Sequence, residues 1–169
     1  MGEQGVNAEY LIQALELAKH PEGGYFKEVY RSIENLGELP ERFNGIRSTS
    51  TSIYFLLNEN DKSHFHKIKS DETWHFYSGS AAVIHMIDKV GNYSKTVVGS
   101  NITAGESFQV TIPYDVWFAA ELINKKSYGL FGCTVAPGFN FHDFELANAK
   151  KLSALCPDKR DLIATFCLS

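Results

Sequence analysis

Two histidines one residue apart, His64 and His66, stand with five residues between them and Glu72 in the stretch SHFHKIKSDETWHFYSG, Ser63 to Gly79. Imidazoles and carboxylates are the side chains that relay protons near neutral pH and that ligate metal ions. Two strand-like pieces, Ser63–Lys69 and Glu72–Tyr77, carry them. Side chains two residues apart on a strand share a face, so His64 and His66 align with Ile68, and Glu72 aligns with Trp74 and Phe76. Paired as neighbours, the pieces would bring two imidazoles and one carboxylate together, the donor set of a 2-His-1-carboxylate metal site. The same residues also read as hydrogen-bonded pocket groups without a metal, or as purely structural ones.

His66 and Glu72 are the candidate catalytic pair. A carboxyl in a partly apolar hollow is pushed toward higher pKa, and a neighbouring imidazolium or metal pulls it down. Such a pair could move a proton from a carbon acid or a sugar hydroxyl. Arg31 and Arg47 offer bidentate forks for a carboxylate or phosphate, although a surface role is an equal reading for each. Glu28 and Tyr30 share a strand face and would add an acid and a phenol if that face looks inward. His64, Trp74 and Trp117 complete the candidate ligand-binding set, the indoles as flat walls for a ring, with core or interface packing as the alternative. His20 and Glu22 sit at a turn whose Gly23-Gly24 lacks the lysine and spacing of a phosphate loop, and direct catalysis is a minor reading for His20.

The elements that must position these groups are short. Tyr10–Lys19 has helical spacing of Leu11, Leu15 and Ala18, with Asn7 as a cap. Tyr25–Ser32 alternates as a strand, and Asn35–Gly45 is the longest candidate loop. Strand signals recur at Ile53–Leu57, Ala81–Ile87, Tyr93–Val98, Ser107–Ile112, Val116–Leu122 and Ser127–Val135, separated by Gly, Pro, Asn and Asp. That rhythm predicts a sandwich or barrel. Helical spacing returns at His142–Leu155 and Asp158–Phe166.

The chain has 169 residues and a net charge of -4 with both signs interspersed, so the basic footprint of a nucleic-acid binder is missing. No basic segment precedes an apolar stretch at the start, and no apolar stretch approaches a membrane span. Three scattered cysteines predict no disulfide framework and suit a cytoplasmic location. One domain over residues 1–169 is expected.

Five segments in order, HPEGGYFKEVYRS (His20–Ser32), TSIYFLL (Thr51–Leu57), SHFHKIKSDETWHFYSG, AGESFQVTIPYDVWFAAEL (Ala104–Leu122) and GCTVAPGFNFHDFELA (Gly132–Ala147), resemble the cupin superfamily, and more closely its DUF985 or cupin-5 branch. The resemblance implies an all-β double-stranded β-helix, a cupin jelly-roll barrel of about residues 25–136 with flanking N- and C-terminal helices. It also implies a homodimer and a pocket at one barrel end. His64, His66, Glu72 and Gly79 match the first cupin motif. In the second motif Pro113 matches, while Asp115 replaces the usual glycine and Phe118 stands where a further histidine is usual. Phenylalanine cannot ligate a metal, so at most His64, His66 and Glu72 would hold a divalent ion, the one cofactor implied. The expected partner is a small polar metabolite. Three functions follow: an isomerase or epimerase on a sugar-like metabolite, a non-catalytic small-molecule binding protein, or a metal-dependent oxygenase. Whether the chain is an enzyme stays open at this level.

Overall fold

A computed structural model describes residues 6–168. The helix α1 (Ala8–Ala14) starts where Asn7 accepts the N–H of Tyr10 at 2.9 Å. It ends well before Lys19, because Ala18–Lys19 (β1) pairs with Tyr25–Arg31 (β2) instead. Strand pairing outcompetes the helical spacing there.

The following strands are β3 (Asn35–Leu36), β4 (Arg47–Ser48), β5 (Thr51–Asn58), β6 (Lys62–Lys67), β7 (Asp71–Gly79) and β8 (Ala82–Ile87). Then come β9 (Tyr93–Val98), β10 (Gln109–Ile112), β11 (Trp117–Leu122), β12 (Tyr128–Ala136) and β13 (Glu145–Leu146). They form a six-stranded sheet in the order β1-β2-β5-β12-β7-β10, a five-stranded sheet in the order β13-β6-β11-β8-β9, and the separate pair β3-β4. All the strand pairs are antiparallel.

The expected closed jelly-roll barrel is not what forms. Each large sheet is open, ending at β1 and β10 in one and at β13 and β9 in the other. The architecture is two facing antiparallel sheets. The expected neighbour pairing within the central motif also gives way: β6 pairs with β11 and β13, whereas β7 pairs with β12 and β10. Residues 68–70 are a corner between sheets. The turn after β10 holds that corner, since Asp115 N–H donates to the Ile68 carbonyl at 2.8 Å and Tyr114 N–H donates to Asp71 Oδ1 at 2.8 Å. With its polar groups satisfied this way, the short connection does not need to close a hairpin.

The inner faces of the two sheets make the main core. Phe55, Trp74 and Phe131 come from one side, and Ile84, Phe118 and Leu122 from the other. Outside the five-stranded sheet, Phe65, Ile87 and Ala119 are covered by α2 (Ala149–Leu155) and α3 (Arg160–Phe166) through Leu152, Ile163 and Phe166. The helical spacing of 142–155 is only partly used, because β13 adds to the edge of β6 and Asn148 starts α2 by accepting the N–H of Lys151. The candidate loop at 35–45 is pinned: β3 pairs with β4, and Arg42 donates to the Lys69 carbonyl at 2.8 Å. No helix among the described residues is long and apolar enough to cross a membrane.

Candidate functional site

Between the sheets lies a cavity of about 300 Å³. Its position follows from the corner at residues 68–70, which sends His66 inward from the five-stranded sheet and Glu72 inward from the six-stranded one. The two groups therefore converge across the sandwich. Both are buried, His66 at 1% exposure and Glu72 at 8%.

Glu22 completes this floor. Its Oε2 lies 3.0 Å from His66 Nε2, and its Oε1 accepts the Ser63 hydroxyl at 2.7 Å. The turn after β1 can deliver it because Gly23 takes φ +108°, where a Cβ would sit 2.0 Å from the Lys62 carbonyl oxygen. The His64 backbone N–H then donates to the Glu22 carbonyl at 2.8 Å, and the His64 ring Nδ1 meets that same oxygen at 2.6 Å.

His66 is held as an imidazolium by geometry. Nδ1 faces the His64 carbonyl at 2.7 Å and Nε2 faces the Glu22 carboxylate, so both ring nitrogens meet acceptors. Burial lowers its pKa, yet the Glu22 charge and hydrogen bond, with help from Glu72, leave it raised above the ordinary histidine value. Burial pushes Glu22 up, but His66, His20 and the Ser63 hydrogen bond outweigh it, and the net shift is down. His20 goes the other way. Burial lowers its pKa, and its Nδ1 accepts the Glu22 backbone N–H at 3.2 Å, as a neutral ring does.

Glu72 is left without a cation of its own. Burial and the neighbouring Glu22 charge push its pKa up to about 7, against the pull of His66 and of the Trp74 indole, whose Nε1 donates to Oε1 at 2.8 Å. The Cys133 thiol beside it is pushed well above its usual range by burial and by the two carboxylates. Carboxyls whose environments drive their pKa values apart can divide acid and base roles between them.

The remaining wall is aromatic, with Phe26, Phe55, Phe141 and Phe144 around His20 and Phe139 packed against Phe141 and Phe144. At the rim a β-bulge in β2 between Glu28 and Tyr30 breaks the regular alternation. It places Arg31 beside Glu28 on the cavity and leaves Tyr30 exposed outside it.

The other expected residues lie elsewhere. Trp74 is fully buried in the core and reaches the site only through its bond to Glu72. Trp117 packs on the outer face of its sheet near α2, with the Lys67 ammonium 4.8 Å from its ring centre. Arg47 is buried in a bidentate pair with Asp143, at 2.6 and 2.7 Å, and also donates to the Asn44 and Ile46 carbonyls. His64 does not line the cavity. Its ring braces the turn that carries Glu22.

The donors His64, His66 and Glu72 do not fit a three-ligand metal centre. The His64 ring rests on a backbone carbonyl and His66 is committed at both nitrogens. Among the described residues no group of three or more His, Cys, Asp or Glu side chains is arranged to hold a metal ion. Phe118, in the place of the second motif's histidine, lies opposite His66 in the β11–β6 register with ring centres 4.0 Å apart.

Sequence reasoning gave His20 only a minor catalytic reading and assigned no site role to Glu22, Cys133 or the phenylalanines of the 139–144 segment. The signal for the first two was present in the HPEGG turn, whose paired glycines permit close approach of the backbone to a neighbouring strand.

Two facing antiparallel sheets around a small buried acid–base cavity define a cupin-type protein with a pocket of small-molecule size. The sequence profile described as the cupin superfamily (DUF985) matches residues 9–147, and the chain belongs to that family. It is similar to a hypothetical protein from Leishmania major, with 32% identity, a TM-score of 0.89, and coverage of 97% of this chain and 100% of that one. Protein SO0799 from Shewanella oneidensis is similar at 34% identity and a TM-score of 0.86, over 96% of this chain and 98% of its own. The uncharacterized protein YML079W of Saccharomyces cerevisiae is 30% identical over 155 residues, 85% of this chain and 76% of the yeast protein.

Proposed function

We propose that the protein is an isomerase or epimerase that moves a proton at carbon on a small, sugar-like polar metabolite. The observation that carries this reading is Glu72, a cavity-lining carboxyl with its pKa raised to about 7 beside the Glu22–His66 ion pair. Near neutral pH such a carboxyl exists in both forms, as a group that takes and returns a proton must. In the reaction, Glu72 as carboxylate removes the proton from the carbon next to a carbonyl. The charge that builds on the carbonyl oxygen is offset through space by the imidazolium of His66, whose two N–H groups stay on the His64 carbonyl and on Glu22. Glu72 returns its proton to the former carbonyl carbon as the neighbouring hydroxyl proton passes to the carbonyl oxygen, which gives the isomer. Glu22 keeps His66 charged throughout. The reading includes a homodimer in the cytoplasm; all three cysteines are free, as suits a reducing compartment.

The test is solvent isotope exchange. Aldoses, ketoses, sugar phosphates and nucleotide sugars are incubated with the protein in D₂O, with and without a chelator, and deuterium at carbon is followed by NMR. The expected result is enzyme-dependent exchange in at least one compound, lowered about 10²- to 10⁴-fold in Glu72→Gln. Exchange that matches the protein-free control throughout would overturn the proposal.

The aromatic wall favours a second reading, a non-catalytic binding protein. Thermal stabilisation by a ligand that shows neither exchange nor turnover would support it.

A further inference from the structure

We propose that the Glu28–Arg31 pair selects ligands by charge, so that the cavity takes an uncharged, hydroxylated ring compound such as a free sugar or its lactone and turns away phosphorylated and nucleotide-linked forms. The inference rests on the sugar-like reading above for its choice of ligand, and on separate residues for its mechanism.

Arg31 is the one guanidinium lining the cavity, and among the described residues no lysine joins it. Its fork is already occupied. Nε donates to Glu28 Oε1 at 2.9 Å, Nη2 to Glu28 Oε2 at 2.7 Å and to the Phe139 carbonyl at 3.1 Å, and Nη1 to Ser48 Oγ at 3.4 Å. Four hydrogen bonds engage most of the five N–H groups of a guanidinium. A phosphate arriving here would have to displace a carboxylate from a bidentate pair and remain beside it.

The rest of the lining has the same bias. Glu22, Glu28 and Glu72 face two cations, Arg31 and His66, and each of those cations already has a carboxylate against it. A dianionic group would meet carboxylates with no unmatched positive charge. A sugar ring instead presents C–H faces, which suit Phe26, Phe141 and Phe144, and hydroxyl groups, which can donate to the carboxylates of Glu22 and Glu72. One segment links the two features. Phe139 through Phe144 supplies wall residues, and the Phe139 carbonyl also fixes the Arg31 fork in its pairing with Glu28.

The test uses full-length wild type, Glu28→Gln and Arg31→Met. Inorganic phosphate is titrated and followed by ³¹P line width, and free aldoses and aldonolactones are compared with their monophosphates by calorimetry. Expected are wild-type phosphate binding no tighter than that of Arg31→Met, and a roughly tenfold to hundredfold gain in phosphate affinity in Glu28→Gln, whose guanidinium is released. At least one free sugar or lactone should bind wild type more tightly than its phosphate does. Phosphate binding to wild type that Arg31→Met abolishes, an unchanged phosphate affinity in Glu28→Gln, or absence of binding by every uncharged compound would each overturn it. Because the readout is binding, sugars that bind while no compound shows isotope exchange would sink the proton-transfer reading and leave the selection by charge standing.

Discussion

Glu22 Oε2 lies 3.0 Å from His66 Nε2, joining a turn between two strands of one sheet to a strand of the facing sheet. The contact holds the sandwich together at the cavity floor and also keeps the imidazole charged. Removing one member of a buried pair strands the other, at a cost of roughly 3–5 kcal/mol. Glu22→Gln, which retains an acceptor for Ser63, should therefore lower stability by about 3 kcal/mol in urea unfolding at pH 7. A loss under about 1 kcal/mol would show the pair to be dispensable.

Glu72 makes stability fall as pH rises. Its folded pKa of about 7 lies above the ordinary 4.5, so between these values the native state holds a proton that the unfolded chain has released. The cost is absent below about pH 4.5, grows through the interval and levels off above about pH 7, at about 3 kcal/mol for that shift. His66, with a raised pKa, stabilises fully below its unfolded value of 6.5 and loses that contribution as pH rises through its folded value, in the same direction. Glu22 is depressed, so its contribution is present above its unfolded value and is lost as pH falls through the folded one. Urea midpoints measured from pH 5 to 8 should decline in the wild type and decline less in Glu72→Gln. Parallel slopes would contradict the assignment.

The pair formed by Arg47 and Asp143 should behave as a structural clasp. Both side chains are buried, at 5% and 3% exposure, and they tie the stretch before β5 to the aromatic segment that walls the cavity. Asp143→Asn is expected to cost about 3 kcal/mol. Chemical denaturation gives the number, and a variant as stable as wild type would place the clasp's energy elsewhere.

Gly23→Ala tests the turn that delivers Glu22. The added methyl group would fall 2.0 Å from a backbone oxygen at a φ that disfavours any side chain, so the turn must shift. A loss of about 2 kcal/mol or more is expected in thermal or urea unfolding. Wild-type stability would mean that the turn relaxes without cost.

Much of this was legible in the chain. The period-two alternation of Glu72, Trp74 and Phe76 placed all three on one face of β7, where Glu72 and Trp74 are buried and Phe76 packs against the core, and the helix cap at Asn7 was readable from residue type. The face of Arg31 was not readable. Regular alternation put it opposite Glu28, and a single bulge, set by pairing with β5, brought the two together. Trp117 and Arg47 had suitable chemistry, but the sheet face of one and the Asp143 partner of the other direct them away from the cavity.

By itself the sequence determined the strand-rich character, the shared face of Glu72, Trp74 and Phe76 and the family resemblance, because alternation and turn chemistry are local properties. Tertiary structure alone decided that the sheets stay open, that His66 and Glu72 meet from opposite sheets, and that Glu22 joins them. These are long-range outcomes. They depend on which edges pair and on how buried charges find partners, and no spacing along the chain encodes either.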